Sequence, residues 1–194
     1  MKLIYSTYTE LLLKYSNRSG IPYFELLLTK EWEGKRNQIL NRDNQTCCYC
    51  GKKSTEYIEG LGNIWIYIQE RIERGYSSDG DGVEEFEYVN EVTYHEVSDK
   101  PYYLHVHHKY YILSCLPWEY SDDALMSLCS WCHWKFHAEN TVPVFENQQK
   151  IINLNYHPCH RCNGAGWFPQ YNHVQSGICF RCSGEKYEEL IKET

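Results

Sequence analysis

No apolar run in the sequence approaches the roughly 18 residues that a membrane-spanning helix needs. The first residues form a short apolar patch, but polar side chains interrupt it and no small-residue cleavage site follows, which argues against a signal peptide. With 42% hydrophobic residues among 194, the chain can build the core of one medium domain or two small ones. We therefore expect a soluble, cytoplasmic protein without a membrane partner.

A surplus of positive charge is also missing, because the formal net charge is −7. This balance is unusual for a nucleic-acid enzyme, since phosphate contacts supply most of the non-specific affinity. The acidity is local: residues 54–100 hold twelve Asp and Glu against three Lys and Arg, whereas residues 30–53 hold six basic against three acidic residues. The charge therefore does not exclude nucleic acid as a partner.

The ten cysteines lack the irregular spacing of a disulfide framework. Eight of them form four C-x-x-C pairs, at 47/50, 129/132, 159/162 and 179/182. Two intervening residues allow both thiolates to reach one tetrahedral ion, and disulfides show no such preference. Four pairs predict two structural Zn²⁺ sites, and disulfides are the alternative. The remaining Cys48 and Cys115 are expected to be packed thiols rather than ligands.

The spacing of the pairs predicts how they combine. Sixteen residues separate Cys162 from Cys179, which is typical of a zinc ribbon at 157–194 with a short terminal helix from 185 onward. The first two pairs are much farther apart, so they form the two halves of one site with 54–100 inserted between them. Gly51 after the first pair permits a tight turn that directs amide groups at the sulfurs.

The pattern before the first pair predicts helices at 1–43, namely two short ones and an amphipathic one from Thr29 to Arg42 that buries Trp32, Ile39 and Leu40. Within the insertion we expect a helix over 64–74, a loop at 77–82 and one or two strands over 83–97. The acidic insertion either screens substrates, mimics phosphate, contacts a regulatory protein, or is a solvated excursion.

The stretch from Leu104 to His137 concentrates the residues that carry chemistry. It predicts strands around the pair His107–His108 and then a helix from about 130 to 139 that the second C-x-x-C pair opens. His133 and His137 are four residues apart and share a helix face, so they can bind one ion. His107 and His108 point to opposite faces of a strand, which suits one as a ligand and the other as a general base.

These motifs resemble the HNH, or ββα-metal, endonuclease family. Its members carry a C-x-x-C knuckle, a strand ending in Asp-His or His-His, and LC-x-x-CH on a helix. Here those motifs are Cys47–Cys50, His107–His108 and the run from Leu128 to His133. The resemblance covers about residues 30–140, with 54–100 as an insertion.

The resemblance implies an α+β fold with a small zinc-stabilised ββα-metal core at 101–142. It assigns the general base to His108 and a metal-ligand position to His107, and the bacteriocin DNase branch adds His133 and His137 as ligands of the ion. The function it implies is DNA hydrolysis with one catalytic divalent cation such as Mg²⁺ or Mn²⁺, in restriction, phage defence or a phage, in a prokaryotic or phage-encoded cytoplasmic protein. Family members often act as dimers or in complexes.

One departure concerns the asparagine of the family name, whose position is Ala124 here. Either Asp122, Asp123 or a backbone carbonyl replaces it in orienting the base, or the chain is an inactive member. The alternatives are therefore an adaptor that binds nucleic acid or protein without turnover, a purely structural zinc on the four histidines, and an RNase on the same centre.

The ribbon, linked through 143–156, either binds nucleic acid, contacts protein or closes the domain. Its aromatic residues Trp167, Phe168 and Tyr171 are candidates for base stacking. His105 is expected at the surface, and we expect ordinary roles for His95, His157, His160 and His173. The basic side chains proposed to contact nucleic acid are Lys35, Arg36, Lys109, Arg161 and Arg181.

Overall fold

A computed structural model describes residues 5–78, 80, 82–113 and 115–191 of the chain. The fold is α+β with small sheets. It divides into two compact units, which we describe separately. Unit 1 contains the described residues up to Lys53 and from Tyr103 onward, and unit 2 contains Ser54–Tyr102. Unit 2 spans nearly the same residues as the predicted insertion.

Unit 1 begins with two short helices, α1 (Tyr8–Tyr15) and α2 (Tyr23–Leu26), joined through a 3₁₀ turn at Arg18–Gly20. Thr7 and Glu10 form a reciprocal capping box that fixes the start of α1. The two helices bury an apolar cluster of Leu11, Ile21, Leu26 and Leu116. The two predicted helices are thus confirmed, and residues 1–4 of the predicted helical region lie outside the described residues.

Helix α3 (Lys30–Arg42) is the predicted amphipathic helix, and its expected core residues Trp32, Ile39 and Leu40 are buried. Thr29 starts it: the Thr29 hydroxyl accepts a hydrogen bond from the Trp32 N–H at 3.2 Å and donates one to the Leu26 carbonyl at 2.8 Å. This fully buried hydroxyl therefore links the end of the α2 region to the start of α3.

Unit 2 is a three-stranded antiparallel sheet of β1 (Glu56–Ile58), β2 (Gly62–Ser78) and β3 (Val83–Val97). The predicted helix over 64–74 is wrong, because these residues belong to β2 and pair with β3 in continuous register from Ile64↔Val97 to Ser78↔Val83. Ile64, Ile66 and Ile68 repeat every second residue, and this alternation of β-branched side chains favours a strand. Of the predicted 77–82 loop, Ser77 and Ser78 continue β2, and positions 79 and 81 are not described.

The second half of unit 1 contains short strands and one helix, and the two strands predicted around His107–His108 do not pair with each other. Strand β4 (Leu104–His108) leads to the short β5 (Tyr111–Ile112), and β6 (Leu125–Cys129) runs directly into α4 (Ser130–Glu139). β4 pairs antiparallel with β6, with His107 opposite Met126. A final strand, β7 (Val144–Phe145), pairs in parallel with β5. The antiparallel partner of β4 is thus β6, and a long connection separates these two strands in the chain.

The last part of unit 1 holds the two C-terminal C-x-x-C pairs in tight turns, with bridges between Trp167 and Ile178 and between Pro158 and Tyr187. The predicted terminal helix from 185 onward is wrong over its described part, because only a 3₁₀ turn at Glu188–Leu190 forms there, and residues 192–194 are not described. Within the described residues, none of the helices has the length and apolar character that crossing a bilayer requires.

The Thr29→Val substitution keeps the size of the side chain and removes both hydrogen bonds of the hydroxyl. Because the site is buried, we expect a loss of about 1–2 kcal/mol in the free energy of unfolding. Chemical denaturation followed by circular dichroism measures it. Thr29→Ser is the matched control that retains the hydroxyl, and equal stability of the valine variant and the wild type would contradict the assigned cap.

Candidate metal centres and histidine site

The first cysteine cluster joins two distant parts of unit 1. Cys47 and Cys50 lie in the turn after α3, whereas Cys129 ends β6 and Cys132 lies in the first turn of α4. All four sulfurs lie within 4.8 Å of one another. The N–H of Cys132 donates to the Cys129 sulfur at 3.4 Å, and Gly51 adopts a φ of 70° that closes the first turn.

The second cluster brings together Cys159, Cys162, Cys179 and Cys182, all buried and again within 4.8 Å. The Cys162 and Cys182 sulfurs are 3.7 Å apart. A backbone N–H from Gly166 donates to the Cys162 sulfur at 3.3 Å. In each of the two clusters a backbone N–H thus donates to a cysteine sulfur, as in tetrathiolate metal sites.

The chemistry of both clusters fits a structural zinc. A hydrogen bond from Cys129 lowers the pKa of Cys47 to about 4, and one from Cys162 lowers the pKa of Cys182 to about 5. Each cluster therefore already favours one thiolate, and four sulfurs at this separation can surround a tetrahedral Zn²⁺. The pairing of the four C-x-x-C motifs agrees with the prediction from their spacing.

The two remaining cysteines lie outside the clusters. Cys115 is half-buried, and its sulfur accepts a hydrogen bond from the Gln148 side chain at 3.5 Å. Cys48, which we expected to be packed, is exposed, because it lies at the outer side of the knuckle turn between two cluster members.

A third group consists of three buried histidines. His107 from β4 meets His133 and His137 from α4, with ring centroids 5.0 Å, 5.0 Å and 4.9 Å apart. One nitrogen from each ring lies within 4.8 Å of the others. The helix spacing puts His133 and His137 on one face of α4, and the β4–β6 pairing brings His107 to that face.

The histidine triad also fits a cation. Neither ring nitrogen of His107, nor Nε2 of His137, has a hydrogen-bond partner among the described residues, although all three atoms are buried. An unpaired buried polar atom is costly, and a metal ion would satisfy these nitrogens. Burial lowers the pKa of His107 to about 2 and that of His137 to about 3, so both rings are neutral and able to ligate near pH 7.

The C-terminal turns cover this triad. The Trp167 indole N–H donates to Nδ1 of His133 at 3.3 Å, and the backbone of Asn163 hydrogen-bonds the His137 ring. For His133 to ligate through Nε2, its proton must sit on Nδ1, and the Trp167 N–H must then turn away. A cleft of about 220 Å³ beside His137, bounded also by Asn163, opens next to the triad.

His105 is not the surface residue that we expected. Its ring stacks on Trp167 at 4.4 Å and on His133 at 5.6 Å. Its Nε2 is buried without a hydrogen-bond partner in the described part of the chain, and burial lowers the pKa of His105 to about 4. Residues two apart on a strand share a face, so His105 lies on the same side of β4 as His107, and the C-terminal turns cover that face.

His108 lies apart from the triad and is also buried. Its ring is stacked between Trp32 and Tyr111, at 5.3 Å and 5.4 Å. Its Nε2 is 3.2 Å from the Pro117 carbonyl oxygen, which holds the ring proton on that nitrogen and leaves Nδ1 with the lone pair. Burial lowers the pKa of His108 to about 3.

Ala124, the position that the resemblance assigns to an asparagine, is buried in a 3₁₀ turn. The Asp122 carboxylate does not replace the asparagine, because it pairs with Lys35 at 2.6 Å and with Gln38 at 2.8 Å on α3. The carbonyl that contacts His108 comes from Pro117.

The side chains proposed for nucleic-acid contact mostly have partners inside the protein. Lys35 pairs with Asp122, Arg36 donates to the Leu104 carbonyl, Lys109 donates to the Asp123 carbonyl, and Arg181 pairs with Glu188. Arg161 is exposed. Trp167, proposed to stack on a base, stacks on His105 instead, whereas Tyr171 is exposed.

Lys186, another basic residue of the ribbon that the sequence offers for nucleic-acid contact, lies inside the protein beside the site. Its ammonium group hydrogen-bonds the Tyr111 hydroxyl at 2.5 Å and lies 4.2 Å from the Tyr23 ring centroid. Burial lowers the pKa of Lys186 to about 7, and the charge of Lys186 helps to depress the pKa of His107 and His108. No spacing signal marks this residue, because it meets Tyr111 across 75 residues of chain.

Comparison of the chain with protein-family models, with curated proteins and with solved structures gives no match. The geometry of the two cysteine clusters, the histidine triad and His108 is therefore what indicates a function.

The depressed pKa of His108 predicts a pH-dependent stability. Between about pH 6.5 and 3 the unfolded chain binds a proton that the folded ring does not, so this contribution is complete above pH 6.5 and is lost as the pH falls. Between pH 7 and pH 5 the wild type should lose roughly 2 kcal/mol more unfolding free energy than His108→Gln, which cannot titrate.

Denaturant titrations at the two pH values, with zinc present throughout, measure this difference. His173→Gln removes an exposed histidine and should keep the wild-type pH dependence. Equal pH dependence for His108→Gln and the wild type would contradict the burial of a neutral ring.

Proposed function

We propose that the protein is a metal-dependent endonuclease of the HNH type that hydrolyses DNA phosphodiester bonds. The observation that carries the proposal is the triad: three histidines from a strand and a helix converge, and three of their buried nitrogens have no hydrogen-bond partner among the described residues. His108, which follows His107 in the chain but lies apart from the triad, supports it, because its neutral ring is held by a backbone carbonyl.

In this proposal His107, His133 and His137 hold one divalent cation. Such a cation supplies Lewis-acid stabilisation of the phosphate and of the leaving 3′ oxygen. His108 accepts a proton from the attacking water, and the Pro117 carbonyl fixes the ring so that the lone pair lies on Nδ1. The first cysteine cluster holds the start of α4 and thereby positions two of the three ligands.

A second candidate is an adaptor without turnover, in which the triad holds a structural ion. Burial favours it, since His107 is 1% exposed and the C-terminal turns cover the rings. A scissile phosphate can reach the triad only if these turns move or if it enters through the cleft beside His137. The two candidates therefore differ in whether metal binding is accompanied by cleavage.

We expect the zinc-loaded protein to nick supercoiled plasmid when Mg²⁺ or Mn²⁺ is added. His108→Gln should lower the nicking rate by roughly 100-fold or more, the range attributed to a general base, without changing the bound metal. His107→Gln should lower both the rate and the metal content. Gel quantification of nicked plasmid, together with metal analysis, provides the measurement.

His173→Gln is the matched histidine control and should nick at the wild-type rate. Full activity of His108→Gln would overturn its assignment as the base. A metal-loaded wild type that cleaves neither plasmid nor single-stranded RNA would favour the adaptor, and cleavage of RNA alone would make the protein an RNase on the same centre.

A further inference from the structure

Unit 2 carries a long two-stranded arm, defined here as β2 and β3 (residues 62–97). Only the base of the arm has a third strand, because β1 pairs with β2 from Gly62 to Ile64. Beyond that point, in the described residues, β2 pairs with β3 alone up to Ser78↔Val83. An isolated two-stranded hairpin is at best marginally stable in water. A binding partner would therefore stabilise an arm of this length.

Both faces of the arm expose large apolar side chains: one carries the aromatic residues Phe86, Tyr88 and Tyr94, and the other is mainly aliphatic. Residues directly opposite each other in an antiparallel pair share a face, and residues two apart along a strand do as well. By this rule one face, which we call the aliphatic face, carries Ile68, Ile72, Tyr76, Val83 and Val89. Ile72 is 72% exposed and its cross-strand neighbour Val89 is 62% exposed, and such contiguous exposure marks interaction sites.

The aliphatic face also carries two carboxylates in direct opposition. Glu70 pairs with Glu91 across the strands, and both side chains are exposed. Like charges directly opposite each other destabilise a sheet. By contrast, Arg74 on the same face forms ion pairs with Glu85 and Glu87. A cation placed between Glu70 and Glu91 would remove the repulsion.

The charge of the arm restricts its occupant. Residues 62–97 hold nine acidic against two basic residues, so a second copy of the arm or a nucleic acid would bring like charges together. A strand added to the edge of the arm would leave the aliphatic face uncovered, because the side chains of that face point away from the sheet plane and not towards its edge. A helix lying along the face would cover it.

We propose that the aliphatic face of the arm binds a basic, amphipathic helix of another protein. The apolar stripe of that helix covers Ile68, Ile72 and Val89, and one of its Lys or Arg residues lies between Glu70 and Glu91. From Ile68 to Tyr76 the strand extends roughly 26 Å, which corresponds to a helix of about 18 residues. This inference is independent of the nuclease proposal.

The test uses an 18-residue leucine–lysine peptide with leucines at helical spacing, labelled for fluorescence anisotropy, and the full-length zinc-loaded protein. We expect the wild type to bind it, and the double variant Glu70→Gln/Glu91→Gln to bind roughly tenfold more weakly. The matched control Glu84→Gln/Glu96→Gln removes the same charge from the opposite face and should bind within about twofold of the wild type.

A peptide of the same composition with scrambled order has no apolar stripe. It should bind the wild type at least as weakly as the amphipathic peptide binds the first double variant. Circular dichroism shows whether each variant retains its fold. Equal losses in the two double variants, equal binding of the scrambled peptide, or no binding of the amphipathic peptide would overturn the proposal. Concentration-dependent dimerisation that is stronger in the first double variant than in the wild type would instead assign the face to a second copy, because the variant removes like charges from it.

Discussion

Four thiols within 4.8 Å of one another cannot all ionise unless a cation neutralises their charge. Unit 1 depends on this constraint, which applies at its first cysteine cluster. The cluster ties the turn after α3 to the junction of β6 and α4, across some eighty residues of chain. Because α4 begins at this junction, a cation bound there would set the direction of the helix that carries His133 and His137. The geometry of the triad would then depend on metal binding at the cysteine cluster.

The second cluster has a comparable effect from the other side. It fixes tight turns whose residues Asn163 and Trp167 contact two of the triad histidines. The C-terminal turns are therefore part of the histidine site rather than a separate attachment. This explains why the site is buried. A phosphodiester would reach the triad only if these turns move or through the cleft beside His137.

The sequence was sufficient to predict what depends on local spacing. The C-x-x-C pairs, the histidines four residues apart on α4 and the alternation around His107 all have fixed geometric consequences. It was insufficient where distant segments meet. His105 is covered by Trp167 and His108 is held by the Pro117 carbonyl, and neither contact leaves a pattern along the chain. The helix expected at 64–74 failed because pairing with β3 outweighs a charged, helix-like composition.

We expect the histidine triad to bind a metal ion separately from the two cysteine clusters. Native mass spectrometry of zinc-loaded protein, recorded before and after addition of excess Mn²⁺, can count the bound ions. We expect two zinc ions in wild type and in His107→Gln, and one further divalent ion in the wild type alone. A wild type that never exceeds two ions, or a His107→Gln variant that still holds three, would contradict this expectation.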